Sequence, residues 1–154
     1  MRTIATVVCA TAILAFGLVG SAAACSNKTL KGTYTMSVNG WVSNGSELVP
    51  DAYAAFLSFD GKGGIVLKKT SVSQATGEWA TAVTTGVYTI DADCTGRADY
   101  PTARFRYFVE PDGDSVIFVK IGNSTDSGTT YTHTPDRITA RAVRVSKNPL
   151  RTAD

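Results

Sequence analysis

The 154-residue chain has a single histidine, His133, and only three cysteines, which rules out a multi-histidine or cysteine-rich metal centre. Also missing are a Cys-x-x-Cys pair, a Gly-x-Ser-x-Gly elbow, a glycine-rich phosphate loop opening a helix and a Gly-x-Gly-x-x-Gly fingerprint. Their absence removes the commonest signatures of thiol redox, serine-hydrolase, nucleotide-hydrolysing and dinucleotide-dependent chemistry. An excess of one charge is lacking too, because 15 basic residues face 13 acidic ones. A net charge of +2 provides no electrostatic case for nucleic acid. No cofactor, metal or nucleic-acid partner is therefore expected, and a non-enzyme is favoured over an enzyme.

Long apolar runs are confined to the N-terminus. After Met1-Arg2-Thr3, the stretch Ile4 to Gly20 carries no charged side chain, and Ser21-Ala22-Ala23-Ala24 supplies the small residues that a signal peptidase accepts. The stretch is rich in Ala and Gly, short for a membrane span and followed by Ala-x-Ala, so residues 1–24 read as a cleaved export signal. No transmembrane span is then expected after processing, and the protein is expected to be periplasmic or secreted. Removing 24 of the 154 residues leaves 130, the size of one domain with one core. The leader takes one basic residue and no acidic one with it, leaving a net charge of +1.

Cys9 leaves with the signal, so Cys25, the first mature residue, and Cys94 remain. In an oxidising compartment the two allow one bridge, which would close a loop spanning 69 residues and contribute about 4 kcal/mol through lost chain entropy. The competing fate of Cys25 is lipidation, which would anchor the protein to a membrane and exclude the bridge. A lipobox wants Leu three positions earlier, where this chain has Ala22, so the disulfide is favoured.

The mature region repeats one unit, a run of Val, Ile, Thr, Tyr and Phe followed by a cluster of Gly, Asp, Asn or Ser. Leu30, Gly32, Tyr34, Met36 and Val38 alternate with polar residues, the period of a half-buried strand. Turn clusters such as Asp60 to Gly64, Asp93 to Gly96 and Pro111 to Asp114 punctuate eight expected strands. These lie near 30–42, 52–59, 65–73, 81–91, 97–109, 114–121, 129–134 and 136–146. The fold class is all-β, an antiparallel eight-stranded barrel that hides its edges by closure, with a two-sheet sandwich as the alternative. The β domain spans 25–146, and 147–154, with Pro149 and no apolar rhythm, is expected to be a flexible tail.

Few stretches suggest chemistry. His133 could serve as a general base, but in Tyr131-Thr132-His133-Thr134-Pro135 it reads as an exposed residue where a strand runs into a turn. Asp91 to Asp99 begins like a calcium loop, yet position 12 is Thr102 where Glu is required, strands flank it, and Cys94 sits inside it. A tight aspartate-rich turn explains it better. What remains is a barrel lumen, with Tyr34, Met36, Tyr88 and Arg106 as candidate ligand-binding residues. Arg106 depends on register. If Phe105, Tyr107 and Val109 face inward, both Arg104 and Arg106 are solvated, and that arrangement buries more apolar surface. In the opposite register Arg106 is a buried cation in need of an anion or Glu110.

Three segments carry a resemblance: Cys25-Ser26-Asn27-Lys28-Thr29-Leu30-Lys31-Gly32-Thr33-Tyr34, Phe59-Asp60-Gly61-Lys62-Gly63, and Gly86 to Gly96 with its Asp-Cys-Thr-Gly turn. Together they resemble a group of small exported bacterial proteins that share Cys-x4-Leu-x-Gly-x-Tyr, Asp-Gly-x-Gly and Asp-Cys-Thr-Gly landmarks. The resemblance implies an eight-stranded barrel similar in shape to allene oxide cyclase and dirigent-type barrels, and a Cys25–Cys94 bridge. It carries no catalytic residue over. Three functions follow as expectations: binding of a small apolar ligand or surface partner, isomerase or cyclase action on a hydrophobic substrate in the lumen, or a structural or antigenic surface role.

Overall fold

The structure, a computed structural model, describes residues 24–44, 47–72, 79–124, 131–132 and 137–150. Residues 1–23 of the expected export signal and the candidate His133 lie outside the described residues. After a single 3-10 turn at Asn27–Thr29, the described chain is built of strands: β1 Lys31–Asn44, β2 Glu47–Asp60, β3 Gly64–Val72, β4 Trp79–Ile90, β5 Thr95–Tyr100, β6 Ala103–Val109, β7 Ser115–Ser124, β8 Tyr131–Thr132 and β9 Arg137–Ser146. No helix among the described residues is long and apolar enough to cross a membrane.

Every pairing is antiparallel, and β1 through β7 follow one another around a ring that β9 closes by pairing with both β7 and β1. The result is a closed eight-stranded barrel, as the strand punctuation implied. The membership of the ring differs from the expected one. The segment 97–109, read as one strand, is the hairpin β5–β6, turning at Pro101-Thr102 with Tyr100 opposite Ala103. Proline has a fixed φ and no amide hydrogen, so it suits a turn and cannot serve a central ladder. Parity makes the same point, since Ala98 and Tyr100 face inward before the turn and Tyr107 and Val109 after it. Conversely, β8 pairs only with β7 and stands outside the ring.

Pro50, inside β2, is tolerated because β2 pairs with β3 only from Tyr53 onward, leaving Pro50 bonded on one side to Trp41. Residues 148–150, expected in the loose tail, are tied down: Thr33 Oγ1 donates to the Asn148 carbonyl at 2.8 Å and the Leu150 amide to Ser58 Oγ at 2.9 Å.

The Cys25–Cys94 disulfide is present, with Cα atoms 5.0 Å apart. A second tie, from the Cys25 amide to the Ala92 carbonyl at 3.2 Å, holds the start of the domain against the β4–β5 turn. A sulfur in a disulfide cannot carry a lipid, so the bridge displaces the alternative of an anchor through Cys25.

Phe59 organises the core. Its ring meets Tyr34, Tyr88 and Tyr107 edge to face at centroid distances of 5.1, 5.0 and 6.2 Å, and Tyr107 in turn meets Phe118 at 4.5 Å. Such pairs contribute about 1 kcal/mol each beyond the area they bury. With Leu30, Ile65, Ile90, Val109 and Val116 they fill one end of the barrel.

Candidate functional site

The two ends of the barrel differ. The end where β1 begins and β9 finishes is plugged by side chains whose polar atoms all find partners there. The Tyr34 hydroxyl donates to the Gly113 carbonyl at 2.5 Å and accepts from Arg144 Nε at 3.0 Å. Arg144 Nη2 donates to the carbonyls of Thr29 and Gly113 at 3.0 and 2.7 Å, while Nη1 pairs with Asp114 at 2.9 Å. Gly113 adopts φ +71°, and a Cβ there would lie 2.1 Å from the Thr29 carbonyl oxygen, so only glycine fits this approach. The Tyr88 hydroxyl lies near the carbonyls of Asn27 and Leu30, at 2.9 and 2.8 Å. Burial raises the pKa of both Tyr34 and Tyr88, with the Arg144 hydrogen bond opposing it at Tyr34.

At the opposite end the ring opens into a cavity of about 500 Å³, within the usual range for small-molecule sites. Each strand of the ring contributes: Val42 from β1, Asp51 and Tyr53 from β2, Leu67 and Lys69 from β3, and Thr84 from β4. Tyr100, Phe105, Lys120 and Ile138 complete it from β5, β6, β7 and β9. Tyr100 stacks edge to face on Phe105 at 5.8 Å. Lys69 Nζ lies 5.4 Å from the Tyr53 ring centroid. Burial and the nearby Asp51 carboxylate push the Tyr53 hydroxyl up to about 12.

Below this mouth a narrower space of about 20 Å³, room for one water, is lined by Met36, Leu57, Tyr107, Phe118 and Ala140 as well as by Tyr53, Leu67, Tyr100 and Phe105. The Tyr107 hydroxyl opens here. It is completely buried and has no well-formed hydrogen bond to any described protein group. Burial first, and then Tyr100, raise its pKa well above 10. Tyr100 lines the same space, and its side chain comes within reach of a hydrogen bond to the Tyr107 hydroxyl. Leaving a buried hydroxyl unpaired costs about 1–3 kcal/mol, and Tyr100 and the adjoining space, large enough for one water, are the places where this one can find a partner.

The four residues expected to line a ligand site are not brought together. Met36 reaches the inner space; Tyr34 and Tyr88 belong to the plugged end. Arg106 is a correction: it is exposed on the outer wall, opposite Arg97, with Nη2 3.4 Å from Thr95 Oγ1. Tyr107 and Val109 point inward instead because that register keeps a cation out of the core. Nor is the Asp91–Asp99 turn arranged for an ion, since Asp93 Oδ1 accepts from the Thr95 amide and hydroxyl. Cys94 takes φ +64° there.

Sequence reasoning missed Asp51, Tyr53, Lys69, Tyr100, Phe105 and Lys120. A signal for three of them was available: a charge at an inward position of an apolar alternation, as in Asp51-x-Tyr53-x-Ala55, Ile65-x-Leu67-x-Lys69 and Val116-x-Phe118-x-Lys120, marks where a strand leaves the core for a solvated rim. A scan of the chain against protein-family models finds no match, and neither does a search of curated proteins.

Proposed function

We propose that this protein is an exported, single-domain β-barrel that binds a small apolar ligand in the open end of its lumen. The observation that carries this reading is the mouth cavity of about 500 Å³, to which all eight ring strands contribute while the other end of the barrel is packed. Tyr53, Leu67, Tyr100, Phe105 and Ile138 give the cavity an apolar face, and Asp51, Lys69, Thr84, Thr102 and Lys120 give it an equally prominent polar one that can orient a guest. The Cys25–Cys94 disulfide supports export, since such bridges persist in oxidising compartments. The resemblance to small exported bacterial barrels points the same way.

The Tyr107 hydroxyl favours a second reading, an isomerase or cyclase in which this phenol polarises one oxygen of a hydrophobic substrate. The two readings separate in one experiment. Protein purified after expression of the full chain is incubated with a lipid extract, recovered, and its bound molecules are identified by mass spectrometry. An enriched ligand recovered unchanged supports the binder, and its time-dependent conversion supports the enzyme. No enrichment over a variant with the cavity filled by Leu67→Trp would reject both.

A further inference from the structure

From the phenols at the base of the mouth we infer that the guest is a neutral carbonyl compound, an aldehyde, ketone or ester with an apolar body, and that it binds with its carbonyl oxygen innermost. This rests on the binding reading above and adds the chemical class of the guest and its orientation.

Tyr100 from β5 and Tyr107 from β6 line the same inner space, with their hydroxyls within reach of one another. Each phenol has one proton to donate. Whichever of the two donates to the other, the second proton is left over, so the pair always has one more donor than it can use itself. Among the described residues no further acceptor takes that proton, since Tyr107 lacks a well-formed hydrogen bond and Tyr100 makes none elsewhere. Tyr53 shares the wall, but a third phenol in an open chain adds as many donors as it satisfies. Burial raises the pKa of both Tyr100 and Tyr107, so neither gives up its proton near neutral pH.

What ends such a chain is a group that accepts without donating. A water takes the spare proton but brings two of its own into a space lined, apart from the tyrosines, by apolar side chains, and an alcohol brings one. A carboxylate brings none, but its charge would lie unpaired there at heavy cost. A carbonyl oxygen brings neither proton nor charge. It also fits, because the inner space of about 20 Å³ has room for one water-sized atom. That space shares Tyr53, Leu67, Tyr100, Phe105 and Ile138 with the cavity of about 500 Å³ above it, where the apolar body lies. Entering the other way round, the guest would bond its oxygen to solvent at the rim and leave the phenol proton unpaired in the core.

The test uses 6-propionyl-2-(dimethylamino)naphthalene, a neutral ketone whose emission moves to the red when its carbonyl accepts a hydrogen bond. Beside it stand its propyl analogue, which lacks the oxygen, and the alcohol formed by reducing it. All three are titrated by fluorescence into the purified product of the full-length chain and into Tyr100→Phe/Tyr107→Phe, which removes both hydroxyls and keeps the rings that stack on Phe105 and Phe118. The ratio of ketone to propyl affinity is expected to be about fivefold higher in the parent than in the double variant, the worth of one neutral hydrogen bond. The ratio for the alcohol should change less, and the ketone should emit further to the red in the parent than in the variant. Equal ketone ratios in the two proteins, an alcohol that gains as much as the ketone, or the same ketone emission in both overturns the inference, while binding of the propyl compound keeps the binding reading. The parent alone gives a second reading: a bound ketone that emits as it does in hexane overturns the inference whatever the variant does. Probes that do not bind, or that bind Leu67→Trp as well as the parent, overturn the binding reading too.

Discussion

Arg144 ties three separate parts of the chain into the plug that closes one end of the barrel, and replacing it measures what that closure contributes. Arg144→Met keeps most of the aliphatic stem and its packing while removing every donor. The losses are unequal. The Gly113 carbonyl and the Tyr34 hydroxyl still have each other at 2.5 Å, but the Thr29 carbonyl loses its Arg144 donor. The ion pair adds little, because the Asp114 side chain is 62% exposed. One orphaned carbonyl together with two lost charge-assisted bonds amounts to about 3 kcal/mol. With a urea m-value of about 2 kcal/mol/M, the unfolding midpoint should fall by about 1.5 M at unchanged m. Tyr34→Phe should cost about 1 kcal/mol, and Asp114→Asn less than that. The double variant Arg144→Met/Tyr34→Phe should lose less than the sum of the singles, since either change already breaks the 3.0 Å bond between the two side chains. A midpoint shift below 0.5 M for Arg144→Met, or strict additivity, would show that water replaces the guanidinium freely, and the sealed plug would be refuted.

Three further outcomes are expected. Reduction of Cys25–Cys94, or the Cys25→Ser/Cys94→Ser variant, should lower stability by about 4 kcal/mol for a loop of 69 residues, read as a urea midpoint with and without reductant; a loss under 1 kcal/mol would mean that the unfolded chain is not constrained by the bridge. Tyr107→Phe removes a buried hydroxyl with no well-formed hydrogen bond to the described protein, so stability should stay level or rise by up to about 1 kcal/mol, and a clear drop in calorimetry would show that Tyr100 or a water satisfies it. Asp60 is held below its ordinary value of 3.8: burial opposes ionisation, but hydrogen bonds from the amides of Lys62, Gly63 and Gly64 outweigh it. Its ionised form therefore stabilises the fold above that value, and the contribution fades as pH falls through the lower folded pKa. Thermal melts should show an acid-side decline below about pH 4 that is shallower in Asp60→Asn, whose side-chain oxygen can still accept those amides; identical profiles would refute the assignment.

Much of this molecule was written in short-range pattern. Alternation in β1 placed Tyr34, Met36 and Val38 on the inner face, turn residues marked most hairpins though not the one at Pro101-Thr102, and Cys25 and Cys94, the two cysteines expected in the mature chain, allowed a single pairing, which the structure contains. Even the register of β6 followed from preferring Tyr107 over Arg106 in the interior. What alternation cannot specify is depth. A period of two assigns each residue to a face, but whether an inward residue lies in the packed end or at the mouth depends on how strands far apart in sequence are staggered around the ring. Tyr34 and Tyr53 are alike in sequence terms, inward aromatics in neighbouring strands, yet one seals the plug with Arg144 and the other lines the cavity beside Lys69. Closure through β9 decides that difference, because it sets β1 against both β2 and β9 and thereby fixes which end the side chains fill and which they leave open.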